Sequence, residues 1–411
     1  MNSNFEREFE RQGFTQLTAI QEAVYQPLAA GRSVLGLAPT GSGKTLAYAW
    51  PLLENLLPHD GVQLVIMAPS QELAMQITDV LREWVKLVDL QVTPLIGGAN
   101  LKRQIEKLKK HPEVVVGTPG RILNLINQRK LKMHKVQAVV IDEADEMLDS
   151  EKMPICREII GHTVADVQLA FFSATDAPIL HKIHQWFGIE PQIIDVRTSD
   201  DSQGHVDHYL IETPTRKRAD MLRRLAHVKK MRGLVFFNQA AVANEVTQKL
   251  LHSHVKVALL SGDEHKAQRV QALKQLRQGK ITFLLTTDVA ARGLDIPDLP
   301  AVINFDLPKD MNTYIHRVGR TGRMGASGMV VNLGNEHDLR QFKQLMRPAA
   351  VQPVTAYIFE NQIVTTKPEI PVKKRTPRQG YRSGFNNSGA KKTKKKRRLR
   401  DQKNKGKRKK K

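Results

Sequence analysis

Lys44 and Thr45 close a turn, Thr40-Gly41-Ser42-Gly43-Lys44-Thr45, that links the apolar run "VLGLA" to the apolar run "LAYAW". Glycines let successive backbone N–H groups wrap an anion, an ammonium answers phosphate charge, and a threonine hydroxyl can ligate magnesium. The stretch follows the triphosphate-binding pattern G-x-x-x-x-G-K-[ST], except that Ala38 stands where the first glycine would be. Further along, "VVIDEADEMLD" delivers Asp142 and Glu143 at the carboxyl end of another apolar run. A phosphate site needs one carboxylate to hold magnesium and a second to orient the attacking water. The two stretches together point to nucleoside-triphosphate chemistry.

Such residues need strands to deliver them. "VQLVIMAP", "EVVVGTP", "VQAVVIDEAD" and "VQLAFFSAT" each read as a buried strand with small or polar residues at its carboxyl end. Longer amphipathic stretches separate them, the pattern of a parallel sheet with crossover helices whose ligands gather at the strand ends. "RTSDDSQG", residues 197–204, is polar and reads as a linker. After it the rhythm resumes in "VDHYLIE", "GLVFFN", "VKVALLSG", "ITFLLTTD" and "AVINFDLP". The expected plan is an α/β domain over 1–196, the linker, a second α/β domain over 205–350, and a C-terminal extension over 351–411. The cleft between the two domains is a natural switchable site.

The chain has 411 residues, 41% of them hydrophobic, enough for two or three domain cores. Cys156 is the single cysteine, which excludes an internal disulfide and any multi-cysteine zinc site and suits a reducing, cytoplasmic setting. No apolar stretch has the length of a membrane span, and the polar start "MNSNFEREFERQGF" lacks the apolar run of a signal peptide. The net charge of +23 is concentrated at one end: residues 371–411 hold 20 Lys and Arg against Asp401 alone, whereas 1–370 hold 44 basic and 40 acidic residues. The tail, with "KKTKKKRRLR" and "KNKGKRKKK", has no apolar periodicity, so disorder and sequence-independent phosphate contacts are expected of it. Targeting and solubility remain alternative uses of such a run.

The set of motifs resembles the DEAD-box RNA helicases, whose tetrapeptide stands here as Asp142-Glu143-Ala144-Asp145. The resemblance covers roughly residues 13–347. Gly13-Phe14, Leu17-Thr18 and Gln21 resemble the adenine-reading Q motif; Gly97-Gly98 and Thr118-Pro119-Gly120-Arg121 resemble the family's RNA-backbone motifs. Ser173-Ala174-Thr175 is similar to the motif that couples the domains, "TTDVAARGLDI" to the fifth motif and "HRVGRTGR" to the sixth.

The resemblance implies two tandem RecA-like domains and an RNA-stimulated ATPase that uses ATP and Mg2+. It gives Gln21 the choice of adenine, with Phe14, Ala38, Thr40, Gly41, Ser42, Gly43, Lys44 and Thr45 around the nucleotide and Asp295 on the ribose. Thr45 and Asp142 would hold the metal, and Glu143 would be the general base. Asp145, Ser173, Thr175 and His316 would couple nucleotide state to domain closure. Arg320 and Arg323 would reach the γ-phosphate, and guanidinium forks do stabilise charge spread over phosphoryl oxygens. Gly98, Thr118, Arg121, Gly262, Arg269 and Thr287 would hold the RNA backbone.

Three positions depart from the family pattern: Gln71 replaces an arginine, Leu17 a proline and Lys266 a glutamine. The aromatic that usually stacks on adenine would lie upstream of Met1. Weaker nucleotide and RNA binding by the core is the expectation, with the tail compensating. An ATP-gated RNA clamp or annealer and a DNA translocase stand as rival readings. Ribosomal or pre-ribosomal particles as substrate and a monomeric state are expected by analogy with compact bacterial members.

Overall fold

The computed structural model describes residues 2–200, 204–261, 266–291, 299–322, 326–347, 349 and 351–368. The tail, the middle of the linker, and Gly262, Asp295 and Arg323 therefore lie outside the described residues.

The first sheet comprises β1 (Val34–Leu37), β2 (Leu64–Met67), β3 (Val92–Leu95), β4 (Val114–Gly117), β5 (Ala138–Ile141), β6 (Gln168–Ser173) and β7 (Gln192–Asp195). Its order is β3-β4-β2-β5-β6-β1-β7, and every pairing is parallel. The central strands are buried on both faces because helices cover both, which is why they read as unbroken apolar runs. One face packs helices Ala19–Ala29, Lys44–Leu53 and Gln71–Lys86; the other packs Leu101–Leu108, Pro119–Asn127 and Met153–Gly161.

The second sheet comprises β8 (Val206–Glu212), β9 (Gly233–Phe237), β10 (Val257–Leu260), β11 (Phe283–Thr287), β12 (Ala301–Asn304), β13 (Gly328–Gly334) and β14 (Val354–Thr355). It too is parallel, in the order β10-β11-β9-β12-β13-β8-β14. β14 and the antiparallel hairpin Tyr357–Phe359 with Gln362–Val364 carry this unit past the boundary expected at 350. Ile358 and Ile363 of the hairpin pack on the second domain's core. Among the described residues no helix is long and apolar enough to cross a membrane.

Because every pairing in the two sheets is parallel, the strands' carboxyl ends lie along one edge of each sheet, where ligands of such folds gather. The residues of the motifs sit at those ends.

Candidate active site

β1 ends at Leu37 and the chain turns through Thr40–Gly43 before the helix Lys44–Leu53 begins. Gly43 has φ +82°, and a Cβ there would fall 2.5 Å from Gln21 Nε2, so glycine is required by conformation and by space. The Lys44 ammonium donates to the carbonyls of Ala38 and Pro39, each at 2.8 Å, and the Ser42 hydroxyl to Pro39 at 2.8 Å. The Q-motif residues tie onto this turn. Thr18 Oγ1 donates to the Ser42 carbonyl at 2.7 Å, Gln21 Nε2 to the Gly43 carbonyl at 3.3 Å, and Gln21 Oε1 accepts from the Thr18 amide at 3.0 Å. Gln21 is thus buried and bound to the loop, while Phe14 lines the open cleft beside it.

Asp142 and Glu143 follow β5. Asp142 is buried, and burial first, then the neighbouring charge of Glu143, pushes its carboxyl up to about 6 against the opposing pull of Lys44. Tyr48, wholly buried, donates to Asp142 Oδ2 at 3.2 Å, and Asp142 Oδ1 accepts the Glu143 amide at 2.9 Å. Glu143 adopts φ +48° and ψ +54°, a left-handed conformation costly for a side-chain-bearing residue and of the kind stored at functional sites. Thr45, Asp142, Glu143 and Lys44 line one cleft of about 490 Å³.

Arg320, from the second domain, lines that same cleft. It leaves the helix Met311–Val318, which starts on an Asp310 cap accepting the Thr313 amide at 2.8 Å. The neighbouring Arg317, 1% exposed, anchors the helix: Nε and Nη2 bond Asp288 at 2.6 and 2.7 Å, and Nη1 reaches Asn304 Oδ1 at 2.9 Å and the Asp306 carbonyl at 2.7 Å. With a further bond from Nη2 to Asn238 Oδ1 at 3.1 Å, its rigid fork satisfies five acceptors at once and anchors the helix that carries His316 and leads to Arg320.

Direct contacts join the domains at this edge. His316 Nε2 lies 3.0 Å from Asp145 Oδ2, which also accepts Thr175 Oγ1 at 2.5 Å. Ser173 Oγ donates to the Thr175 carbonyl at 2.7 Å and accepts the Thr175 amide at 3.0 Å, completing the expected coupling group. Burial would lower the His316 pKa, but the hydrogen bond and charge of Asp145 outweigh it and raise it. Asp145 is the converse: burial raises it, and His316 with Thr175 brings it below its ordinary value. Gly319 abuts Thr40, since a Cβ on Gly319 would lie 2.6 Å from Thr40 Cβ.

A DEAD/DEAH box helicase signature matches residues 18–183, and a helicase conserved C-terminal domain matches 217–325. The chain belongs to the DEAD-box helicase family. The DEAD-box ATP-dependent RNA helicase CshC of Bacillus cereus is 39% identical over 376 residues, 91% of this helicase and 96% of the relative. The probable ATP-dependent RNA helicase YfmL of Bacillus subtilis is 39% identical over 83% of this chain and 90% of its own. Among solved structures, S. cerevisiae Dbp5 bound to RNA and ADP BeF3 superposes with a TM-score of 0.75 at 26% identity, over 86% of this chain and 94% of that one. A DEAD box protein from Methanococcus jannaschii, 30% identical over 86% and 97%, gives 0.51. The helicase is accordingly an ATP hydrolase with two RecA-like domains.

The residues suit magnesium. Asp142 is a buried carboxylate whose raised pKa a cation would relieve, and Thr45 and Asp142 are among the oxygen donors that line the cleft.

The expected RNA-backbone residues are dispersed around the edge. Gly98 has φ +64°, and the Gln71 amide lies against Gly97 and Gly98, filling the place beside the turn. Thr118 stands at the N-cap position of the helix Pro119–Asn127 with no side-chain capping bond, and Arg121 Nη1 reaches the Ala99 carbonyl at 3.4 Å. Thr287 ends β11, its Oγ1 accepting the Ala290 amide at 3.4 Å. Arg269 is buried: it donates to the Ala290 carbonyl at 2.8 Å and lies 3.5 Å from Glu72 Oε1 of the first domain. Its charge in this arrangement faces a domain contact.

Arg317, Tyr48 and Glu72 make contacts around the site that the motif reading did not assign. Arg317 stood inside "HRVGR", but its partners Asp288, Asn304 and Asp306 are scattered in sequence and only the sheet brings them together. Tyr48 sits one helical turn after Lys44, the spacing that puts it on the same face as the loop lysine.

Proposed function

We propose that this helicase uses ATP to close its two domains on an RNA strand, opening short duplexes locally or remodelling RNA–protein complexes, and that hydrolysis reopens it. One observation carries the reading: Glu143 and Lys44 of the first domain and Arg320 of the second line a single cleft. Hydrolysis in this scheme needs both domains. Glu143 accepts a proton from the attacking water, while Lys44 and Arg320 stabilise charge on the transferred phosphoryl oxygens. Thr45 and Asp142 hold magnesium, which neutralises phosphate charge when bound. Arg323 and Asp295 complete the set in this reading.

Closure couples the ligands. If RNA and ATP both favour the closed arrangement, each raises the other's affinity by the same factor. In this reading the contacts His316–Asp145 and Gly319–Thr40 form on closure; in support, S. cerevisiae Dbp5 bound to RNA and ADP BeF3 is one of the structures that superpose well. A strand bent by closure loses stacking worth about 1.4 kcal/mol per step, a scale at which a few contacts open a short helix.

RNA-stimulated phosphate release, compared with single-stranded DNA of the same sequence, tests the reading, together with displacement of a short RNA duplex. Stimulation by RNA alone with displacement supports it. ATP-dependent retention of RNA without displacement converts the protein to a clamp, and equal stimulation by DNA removes RNA as its specific substrate.

A further inference from the structure

Residues 101–135 carry ten Lys and Arg against Glu106 and Glu113, while residues 1–370 as a whole are nearly balanced, with 44 basic and 40 acidic residues. The body outside this segment is therefore net acidic. A second basic stretch, residues 216–232, holds eight Lys and Arg against Asp220, but there Arg218 is buried against Asp306 and Asp338 and Arg223 pairs with Asp220. Glu113 is buried and accepts the amides of His59 and Gln91, each at 2.7 Å, so its charge is used inside.

The fold places this charge on one flank. The helix Leu101–Leu108 and the helix Pro119–Asn127, with the loop that follows, feed the same core cluster and so cover the same face of the first sheet. Leu101, Ile105 and Leu108 turn inward at helical spacing, leaving Lys102, Arg103, Lys107 and Lys110 exposed; Lys130 and Lys132 are exposed in the loop. Lys109 pairs with Glu106 at 2.7 Å and Lys135 with Asp60, whereas those six make no ion pair among the described residues. A merely solvated face would more commonly intersperse both signs.

Both helices also start at the RNA-motif edge. Leu101 follows Gly97-Gly98 after the Asn100 cap, whose Oδ1 accepts the Arg103 amide at 3.2 Å, and Pro119 follows Thr118. Arg121 links the two starts through the Ala99 carbonyl at 3.4 Å. From there the basic residues continue down the flank to the opposite edge of the sheet.

Resting on the reading of the chain as an RNA helicase, we infer that this flank of the first domain is a second backbone site, holding RNA that runs on beyond the stretch gripped at the strand ends. An eight-residue helix rises about 12 Å, comparable with the axial rise of three or four stacked nucleotides at about 3.4 Å each. Lysines at such spacing meet phosphates without reading bases, so the site takes the flanking strand irrespective of its sequence. It lengthens the RNA footprint and holds the strand that closure displaces.

The test uses the full chain and the quadruple variant Lys107→Gln, Lys110→Gln, Lys130→Gln and Lys132→Gln. None of these residues belongs to the cleft, so an unchanged basal ATPase shows the variant intact. Binding is measured with a single-stranded uridine RNA of about ten nucleotides, within the span of one binding module, and with the same RNA lengthened at its 5′ or its 3′ end. The short RNA should bind both proteins alike. One lengthened RNA should bind the wild type more tightly, and the variant should lose roughly tenfold of that affinity at 0.1 M salt, with a salt slope shallower by about three. If both lengthened RNAs bind the variant as they bind the wild type, or if the short RNA loses as much as the long ones, the flank is no second site. Failure of the wild type itself to bind any of these RNAs would overturn the helicase reading instead.

Discussion

His316 of the second domain and Asp145 of the first meet at 3.0 Å, each shifting the other's titration toward the charged form. The pair is a contact between domains, so whatever it contributes, it contributes to closure. Its pH dependence follows by linkage. His316 has a raised pKa when paired, so its contribution is complete below the unpaired histidine value and is lost as pH rises through the raised one. Asp145 has a lowered pKa, so its contribution is present above the ordinary carboxylate value and is lost as pH falls through the lowered one. RNA-stimulated ATPase should therefore be held across the interval between and fall on the alkaline side as His316 deprotonates. His316→Gln keeps a hydrogen-bonding group without the charge, and should lower RNA stimulation and flatten that alkaline limb. An alkaline limb that persists unchanged in the variant would assign it to another group.

The contact between Gly319 and Thr40 gives a steric test of closure. A methyl group on Gly319 would stand 2.6 Å from Thr40 Cβ and 2.7 Å from Thr40 Oγ1, too close for either to remain in place. Gly319→Ala should leave RNA binding without nucleotide intact, and should reduce RNA-stimulated turnover by tenfold or more, which corresponds to about 1.4 kcal/mol. Thr40→Gly placed in the same chain removes the opposing Cβ and should restore part of the loss. Full turnover in Gly319→Ala alone would mean that catalysis does not require this approach.

Glu143 and Arg320 should separate chemistry from binding. Glu143→Gln keeps shape and removes the base, so turnover should fall by about 10²- to 10⁴-fold while ATP and RNA still bind. Arg320→Ala should lower turnover without changing nucleotide-free RNA affinity. Steady-state phosphate release and equilibrium RNA binding on the two variants distinguish these outcomes. A parallel loss of nucleotide-free binding in Arg320→Ala would make that residue an RNA contact.

Much of this was legible because the buried strands of parallel sheets are unbroken apolar runs: "LVIM", "VVVG", "AVVI" and "GLVFF" declare themselves. β3 and β7 did not. Both are edge strands; β3 alternates and carries Pro94, which an edge tolerates, and β7 is largely exposed. β14 is two residues long and is a strand only because β8 offers its free edge. The loop residues of the cleft were readable from spacing, since Gly43, Lys44 and Thr45 act locally. Arg317 and the Glu72–Arg269 approach were not, because their partners come from other strands or the other domain. Sequence shows a charged residue; only the assembled sheet shows what it faces.

Gln71 tests whether a departure from the family pattern matters. Its amide packs beside Gly97 and Gly98, so the position is at the RNA-motif edge but uncharged. Gln71→Arg should tighten RNA binding by the core and steepen the salt dependence by about 0.7, the increment of one phosphate contact on a single strand. Titration of one RNA at several salt concentrations reads both. Equal slopes for the two proteins would show that the side chain at 71 does not reach a phosphate.

Ending the chain near Ile370 isolates the charge of the tail. Residues 371–411 hold 20 Lys and Arg and one Asp, whereas every motif of the cleft lies before them. Basal ATPase should survive, because Lys44, Asp142, Glu143 and Arg320 keep their surroundings. RNA affinity should fall at low salt. If about eight of the lost charges meet phosphates, the log-log salt slope should become shallower by roughly six, at about 0.7 per contact. The loss should be alike for unrelated RNA sequences, since lysine-rich segments contact backbone and carry no base-reading geometry. Binding of the shortened chain at full affinity in about 0.15 M salt, where surface charges still act over about 8 Å, would assign the tail to targeting or solubility. A loss confined to one RNA would instead reveal specific recognition by a segment whose composition gives no sign of it.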